Sequence, residues 1–292
     1  SPIDKSLFNK ESLLTMGAFD GIHLGHLEIF KKLKENGLNK NKIVLTFNNH
    51  PDYSLNKRDD YGVINTNEEK IAIFDELSFD IIIFLDNLFL EYDYLDFHQL
   101  LKEMNVSCIY LGNDFHYGKN GLGNIDTLKE DFNVNVIDDY YYENSKLSST
   151  MLRNLLTNGE IEKLNKLLYK PFCIKGRVSS GSGIGKTIGF PTANIDYSNK
   201  FRLLRFGVYY SYVIFNNKKY LAICNFGSNP TVNLLNKPRL EIHILDFDED
   251  IYNKEISIYL LYFARDETKF SSVDDLKKQI ELDVNNFRRK YL

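Results

Sequence analysis

Cysteine is scarce in this 292-residue chain: Cys108, Cys173 and Cys224 are the three, and they lie far apart. No CxxC and no Cys/His cluster exists, which argues against a zinc site. Cys108 and Cys224 sit in apolar runs and read as buried free thiols, as expected in a reducing cytoplasm. No apolar run reaches the roughly eighteen residues of a membrane-spanning helix, and the N-terminus lacks the charged-then-apolar layout of a signal peptide. Internal repeats and low-complexity segments are absent too. A dense basic stripe, the mark of a nucleic-acid binder, is missing. The net charge of −4 is uneven: residues 1–171 carry −9 and residues 172–292 carry +5. A mildly basic second half suits an anionic small molecule; drift of surface charge explains it equally well.

What is present suits about two domains. In the first half, short strand-like runs, mostly apolar, at 12–16, 43–47, 81–85, 106–111 and 133–137 alternate with helical patterns at 24–33, 68–77 and 97–104. That order predicts a parallel sheet covered by helices. Two short helices, 149–156 and 161–168, follow, and Lys170-Pro171 marks the expected boundary. The second half changes to strand-like stretches at 172–178, 208–215, 220–224, 240–246 and 256–263, with Asn216-Asn217 as a hairpin turn. An antiparallel barrel is expected, closed by an amphipathic helix over 273–290 with Leu276, Ile280, Val284 and Phe287 on one stripe.

After the first strand comes Gly17-Ala18-Phe19-Asp20-Gly21-Ile22-His23-Leu24-Gly25-His26. The carboxyl end of such a strand faces the usual ligand crevice. Glycine lets backbone approach a phosphate, and a helix starting near Leu24 offers N–H groups and a positive dipole end to an anion. His23 and His26 can both donate to phosphate oxygens. The HxGH string resembles that of the nucleotidyltransferases, where ATP is attacked at its α-phosphate and catalysis is positioning plus charge neutralisation. Gly17, Phe19, Asp20, Gly21 and Gly25 are expected around ATP. Three further segments sit where a parallel sheet gathers its loops: 46–51, which includes Asn48; 112–119, which includes Asp114 and Phe115; and 148–153, with Ser149, Thr150 and Arg153. Taken singly, each reads more readily as turn or cap chemistry than as a site; together they make a set.

The second half holds Gly181, Gly183, Gly185 and Lys186 ahead of Gly189-Phe190-Pro191-Thr192-Ala193-Asn194. A P-loop is excluded, because GxxxxGK[ST] needs glycine at Ser180 and a helix afterwards. Glycine-rich backbone can instead form an anion nest over phosphates; a plain inter-strand turn is the weaker reading. Thr192 and Asn194 offer hard oxygen ligands suited to Mg²⁺ with ATP phosphates. Glu241, with His243 on the same strand face, can accept a proton from an alcohol as it attacks phosphorus.

The string 181–195, with its GFPTANI ending, the FDGxHxGH string and the late segment 265–270 together resemble the prokaryotic bifunctional riboflavin kinase/FMN adenylyltransferase family over nearly the whole chain. The resemblance implies a Rossmann-like nucleotidyltransferase domain over 1–170, followed by a six-stranded antiparallel riboflavin-kinase barrel with a C-terminal helix over 171–292. It implies adenylyl transfer at His23 and His26, ATP contacts at Ser149, Thr150 and Arg153, and flavin contacts at Asn48, Asp114 and Phe115. In the kinase it implies ATP at the glycine loop of Gly181, Gly183, Gly185 and Lys186, Mg²⁺ at Thr192 and Asn194, Glu241 as base, and a flap of Arg265, Glu267 and Phe270 beside the flavin. Substrates are then riboflavin, FMN and ATP, with FAD as product, no nucleic acid or membrane partner, and weak self-association as an open expectation. Asn49, Lys186 and Asn124 depart mildly from the family pattern. An enzyme with one degenerate domain, or a flavin-binding regulator without turnover, are the other readings of these residues.

Overall fold

The computed structural model describes residues 4–48, 62–86, 89, 91–179, 189–197, 204–227 and 238–291. Gly181, Gly183, Gly185, Lys186 and the Asn49-His50-Pro51 step lie outside the described residues. The chain divides into two compact units, Ser1–Met151 and Leu152–Leu292.

In the first unit, β1 (Ser12–Met16), β2 (Asn41–Phe47), β3 (Ile81–Leu85), β4 (Val106–Gly112) and β5 (Asn133–Ile137) form one parallel sheet in the order β3-β2-β1-β4-β5. Every side chain of β1 is buried, as a central strand covered on both faces requires. The helices are α1 (Leu24–Glu35), α2 (Asn67–Glu76), α3 (Tyr94–Glu103) and the short α4 (Ile125–Lys129). Thr66 and Glu69 close a reciprocal capping box on α2, and Asp93 caps α3, which fixes where each helix begins. The strand order reverses between β1 and β4. Ligand crevices of such sheets form at that reversal, outside the carboxyl ends of the strands.

The helix α5 (Ser149–Asn158) contains the division between units, and α6 (Ile161–Leu167) follows it. Compactness therefore divides the chain earlier than Lys170-Pro171. The reason is polar as well as apolar: Asn165 on α6 donates to the Leu260 carbonyl at 2.8 Å and accepts from the Phe172 N–H at 2.8 Å. Ser148, through its hydroxyl, accepts from Met151 N–H at 3.3 Å and caps α5.

The second unit is a closed antiparallel barrel. Its strands are β8 (Cys173–Ser179), β9 (Ala193–Tyr197), β10 (Gly207–Phe215), β11 (Lys218–Gly227), β12 (Arg239–Ile244) and β13 (Glu255–Arg265), in the order β10-β11-β12-β9-β8-β13. Two short strands of the first unit, β6 (Tyr141–Tyr142) and β7 (Ser145–Lys146), form a separate hairpin. Asn216 and Asn217 both adopt positive φ, 49° and 58°, as the tight turn between twisted strands demands. On β12, Leu240, Ile242 and Ile244 point into the barrel, so Arg239, Glu241 and His243 share its outer face. The C-terminal helix α7 (Val273–Tyr291) covers part of that outer surface. Its apolar stripe divides in two. Phe287 is fully buried and stacks on Tyr210 at 4.6 Å, with Val284 beside it, while Leu276 and Ile280 line a cavity.

Candidate functional sites

A cleft of about 1040 Å³ opens at the sheet's reversal point. Residues 16–19 at the end of β1, 112 and 114–118 at the end of β4, 137–140 at the end of β5 and 146–149 at the start of α5 line it. Gly17, Phe19, His23, Gly25, His26, Asp114, Phe115 and Ser149 thus meet at one place.

The histidines are held by the backbone. His26 N–H donates to His23 Nδ1 at 3.3 Å, and His23 N–H donates to His26 Nδ1 at 3.4 Å, a reciprocal cap on α1. With both Nδ1 atoms accepting, each neutral ring carries its proton on Nε2. The rings stack at 3.7 Å. Burial lowers the His23 pKa to about 4. Burial, then the neighbouring His23 and Lys70, hold His26 well below its ordinary value. Both are therefore neutral Nε2–H donors at pH 7, set beside the free N–H groups of a helix end. Gly25 has to be small here: a Cβ would lie 3.1 Å from His23 Cε1 and 3.2 Å from the Tyr140 Cβ.

His23 gives the fold a pH dependence of known sign. Below its ordinary value of 6.5 the unfolded chain takes up a proton that the folded ring refuses until about pH 4. Stability is thus retained above pH 6.5 and lost as pH falls from there towards 4, by up to about 3 kcal/mol from this group. Denaturant titrations of wild type and His23→Asn, which keeps a capping oxygen, should show a smaller acid loss in the variant. Equal losses would remove this account of the ring.

Several predicted residues brace the turns around the cleft. Asp20 is buried, and its Oδ1 accepts from Ile64 N–H at 2.7 Å and Asn65 N–H at 3.1 Å. The Ser149 hydroxyl donates to the Asp20 carbonyl at 2.6 Å, so this serine ties the start of α5 to the glycine turn. Gly21, at φ 71°, shapes that turn and is not on the cleft wall. Asn48 lies off the cleft, and its side-chain amide donates to Asp86. Thr150 is exposed, and Arg153 is buried in the second unit. Asp114 accepts from Lys146 Nζ at 2.8 Å, and Lys146 also reaches Asp139 at 2.9 Å. Burial alone would lower the Lys146 pKa, but the two carboxylates outweigh it and leave it raised. Sequence reasoning missed Lys146. It also missed Lys70, a buried lysine whose Nζ donates to the Ala18 carbonyl at 2.7 Å. Lysine on a helix normally reads as solvated, and only the fold turns it inward.

The second unit has its own cavity, about 300 Å³, between the outer face of the barrel and α7. Thr192, Glu241, Arg265, Glu267 and Phe270 all line it. Asn194 on β9 is the cross-strand partner of Glu241. Burial raises the Glu241 pKa, and Arg239 works against that rise. Arg239 was not foreseen. Its Nε donates to Asn194 Oδ1 at 3.1 Å, and its Nη2 bonds Glu241. His243 shares the strand face as expected, and its Nδ1 donates to the Pro191 carbonyl at 2.8 Å. Arg265 is engaged by the buried Asp283 of α7, through Nε at 3.1 Å and Nη2 at 2.8 Å, and lies 6.0 Å from the Phe270 ring centroid. Glu267 rests on Gly227 so closely that a Cβ there would stand 1.8 Å from its Oε1.

The likeness to known proteins follows the same division. A family model described as FAD synthetase matches residues 5–151, and one described as riboflavin kinase matches residues 168–291. A bifunctional riboflavin kinase/FMN adenylyltransferase from Buchnera aphidicola (subsp. Schizaphis graminum) is 34% identical across 97% of this chain and 95% of its own length. The protein of that name from Bacillus subtilis is 32% identical across 94% of this chain and 90% of its own. Among solved structures, a chain described as a macrolide-efflux protein from Streptococcus pneumoniae superposes with a TM-score of 0.87 at 30% identity, covering 96% of this chain and 94% of that one. Among the described residues no helix is long and apolar enough to cross a membrane. The chain belongs to the bifunctional riboflavin kinase/FMN adenylyltransferase family.

Proposed function

We infer that this protein makes FAD from riboflavin in two steps, assigning adenylyl transfer to residues 1–170 and phosphorylation to residues 171–292. The observation that carries the reading is that each unit has its own cleft with its own chemistry: paired neutral imidazoles at a helix tip in one, a half-buried carboxylate in the other.

In the kinase step the Glu241 carboxylate takes the proton of the ribityl 5′-hydroxyl while that oxygen attacks the γ-phosphorus of ATP, and ADP leaves. Burial, by raising the carboxylate's proton affinity, makes it a better base. In the second step a phosphate oxygen of FMN attacks the α-phosphorus of ATP and pyrophosphate leaves. The Nε2–H groups of His23 and His26 and the N–H groups of α1 are placed to meet charge growing on the α-phosphoryl oxygens, which needs no proton transfer.

Magnesium fits the donor set of the kinase. Thr192, Asn194 and Glu241 are oxygen donors on one patch of the barrel, and two of them already converge on a positive group, Arg239. Thr192 and Asn194 would hold the ion, and bound there it would offset phosphate charge. Phe115, stacked on Tyr117 at 5.9 Å, is a flat surface for an isoalloxazine ring. The three cysteines carry no disulfide, and burial lifts the Cys224 thiol to about 12. This suits an enzyme of the reducing cytoplasm that acts on small molecules. Incubating the protein with riboflavin, ATP and Mg²⁺ and separating the flavins should show FMN first and FAD later; appearance of neither would overturn the assignment.

A further inference from the structure

The guanidinium of Arg239 bonds the two groups that the proposed kinase step needs, the amide oxygen of Asn194 and the carboxylate of Glu241. It also lines the cavity with Thr192, within reach of a ligand there. The register explains the contacts. Arg239 and Glu241 are two apart on β12, so they share a face, and Asn194 pairs directly with Glu241 on β9.

A divalent ion at Asn194 would stand against the guanidinium, and two positive groups cannot share these oxygens at contact distance without strong repulsion. Arginine is always charged, so it cannot yield by losing its proton. It has to move. Nucleotide phosphates are the natural destination, because a guanidinium pairs with phosphate oxygens through two parallel bonds.

We propose that Arg239 is a displaceable latch on the kinase site, holding Asn194 and Glu241 until nucleotide phosphates draw it off, so that metal enters with nucleotide rather than alone. This rests on the kinase reading above. It adds an order to binding: metal and nucleotide each tighten the other because they share the cost of moving one side chain. It also gives Glu241 a protected resting state, with its charge neutralised until substrate phosphates are in place.

The test uses full-length protein and Mn²⁺ as a paramagnetic probe, titrated by EPR with and without ADP. Arg239→Met should bind Mn²⁺ without nucleotide at least about tenfold more tightly than wild type, since the latch is gone. The gain in Mn²⁺ affinity on adding ADP should shrink by a similar factor. Arg239→Lys, which keeps the charge but loses the fork, should fall between the two. Any Mn²⁺ held by the first unit is common to all three proteins and cancels in the comparison. Unchanged or weaker Mn²⁺ binding by a folded Arg239→Met protein, or an undiminished ADP effect, would overturn the latch. If wild type makes no FMN from riboflavin, the kinase reading itself fails; if it makes FMN and Arg239→Met binds Mn²⁺ as wild type does, only the latch fails.

Discussion

Replacing Glu241 with glutamine should cut FMN formation from riboflavin by about 10²–10⁴-fold, the usual worth of a positioned general base, and leave conversion of supplied FMN to FAD intact. Glutamine keeps the shape and one acceptor oxygen but takes no proton. The loss should therefore appear in kcat more than in the KM for riboflavin. The pH profile of the wild-type kinase carries a second signature. Glu241 works only when ionised, and burial raises its pKa. Activity should fall on the acid side at a higher pH than an ordinary glutamate would give, and Glu241→Gln should abolish that limb. A variant with near-normal FMN production would remove Glu241 from the chemistry.

Replacing His26 with alanine should have the complementary effect. FAD formation from FMN should drop by about 10²–10³-fold, the typical cost of removing one preorganised donor from a developing oxyanion, with FMN production from riboflavin retained. Because both imidazoles are neutral at pH 7, neither His23 nor His26 should titrate between pH 6 and 8 in the adenylyl step. Removing His26 also strips the acceptor from the His23 N–H, so a small stability loss is expected beside the catalytic one. Thermal unfolding separates the two: a folded protein that stops at FMN is the expected result, and unimpaired FAD formation would contradict the role of the ring.

Much of this was legible in the chain because local chemistry carried it. The short run 12–16, ending in glycine, announced a strand of a covered parallel sheet, and the HxGH string marked the helix that follows. Pairing of Glu241 and His243 on one face came from the two-residue period of a strand. The sixth barrel strand, Ala193–Tyr197, was not visible as a strand, since it is short and only the likeness to the family implied six. The bracing contacts of Asp20, Ser149 and Asn48 were not legible for a different reason. Polar residues beside a phosphate loop can face the ligand or brace the loop, and only the partners Ile64, Asn65 and Asp86, distant in sequence, decide between them. Arg239, Lys70 and Lys146 were silent for the same cause. A basic residue shows its use only once the fold has put carboxylates, carbonyls or imidazoles around it. The fold subsumes Asn124 as well: it caps α4 by accepting from Asp126 and Thr127 N–H groups, a task asparagine performs as well as aspartate.

The most direct measurement mixes the two variants. His26→Ala protein, given riboflavin, ATP and Mg²⁺, should accumulate FMN; Glu241→Gln protein under the same conditions should leave riboflavin unchanged; the two together should produce FAD. Failure of the mixture to form FAD, or loss of both activities in either single variant, would contradict two self-sufficient sites in one chain.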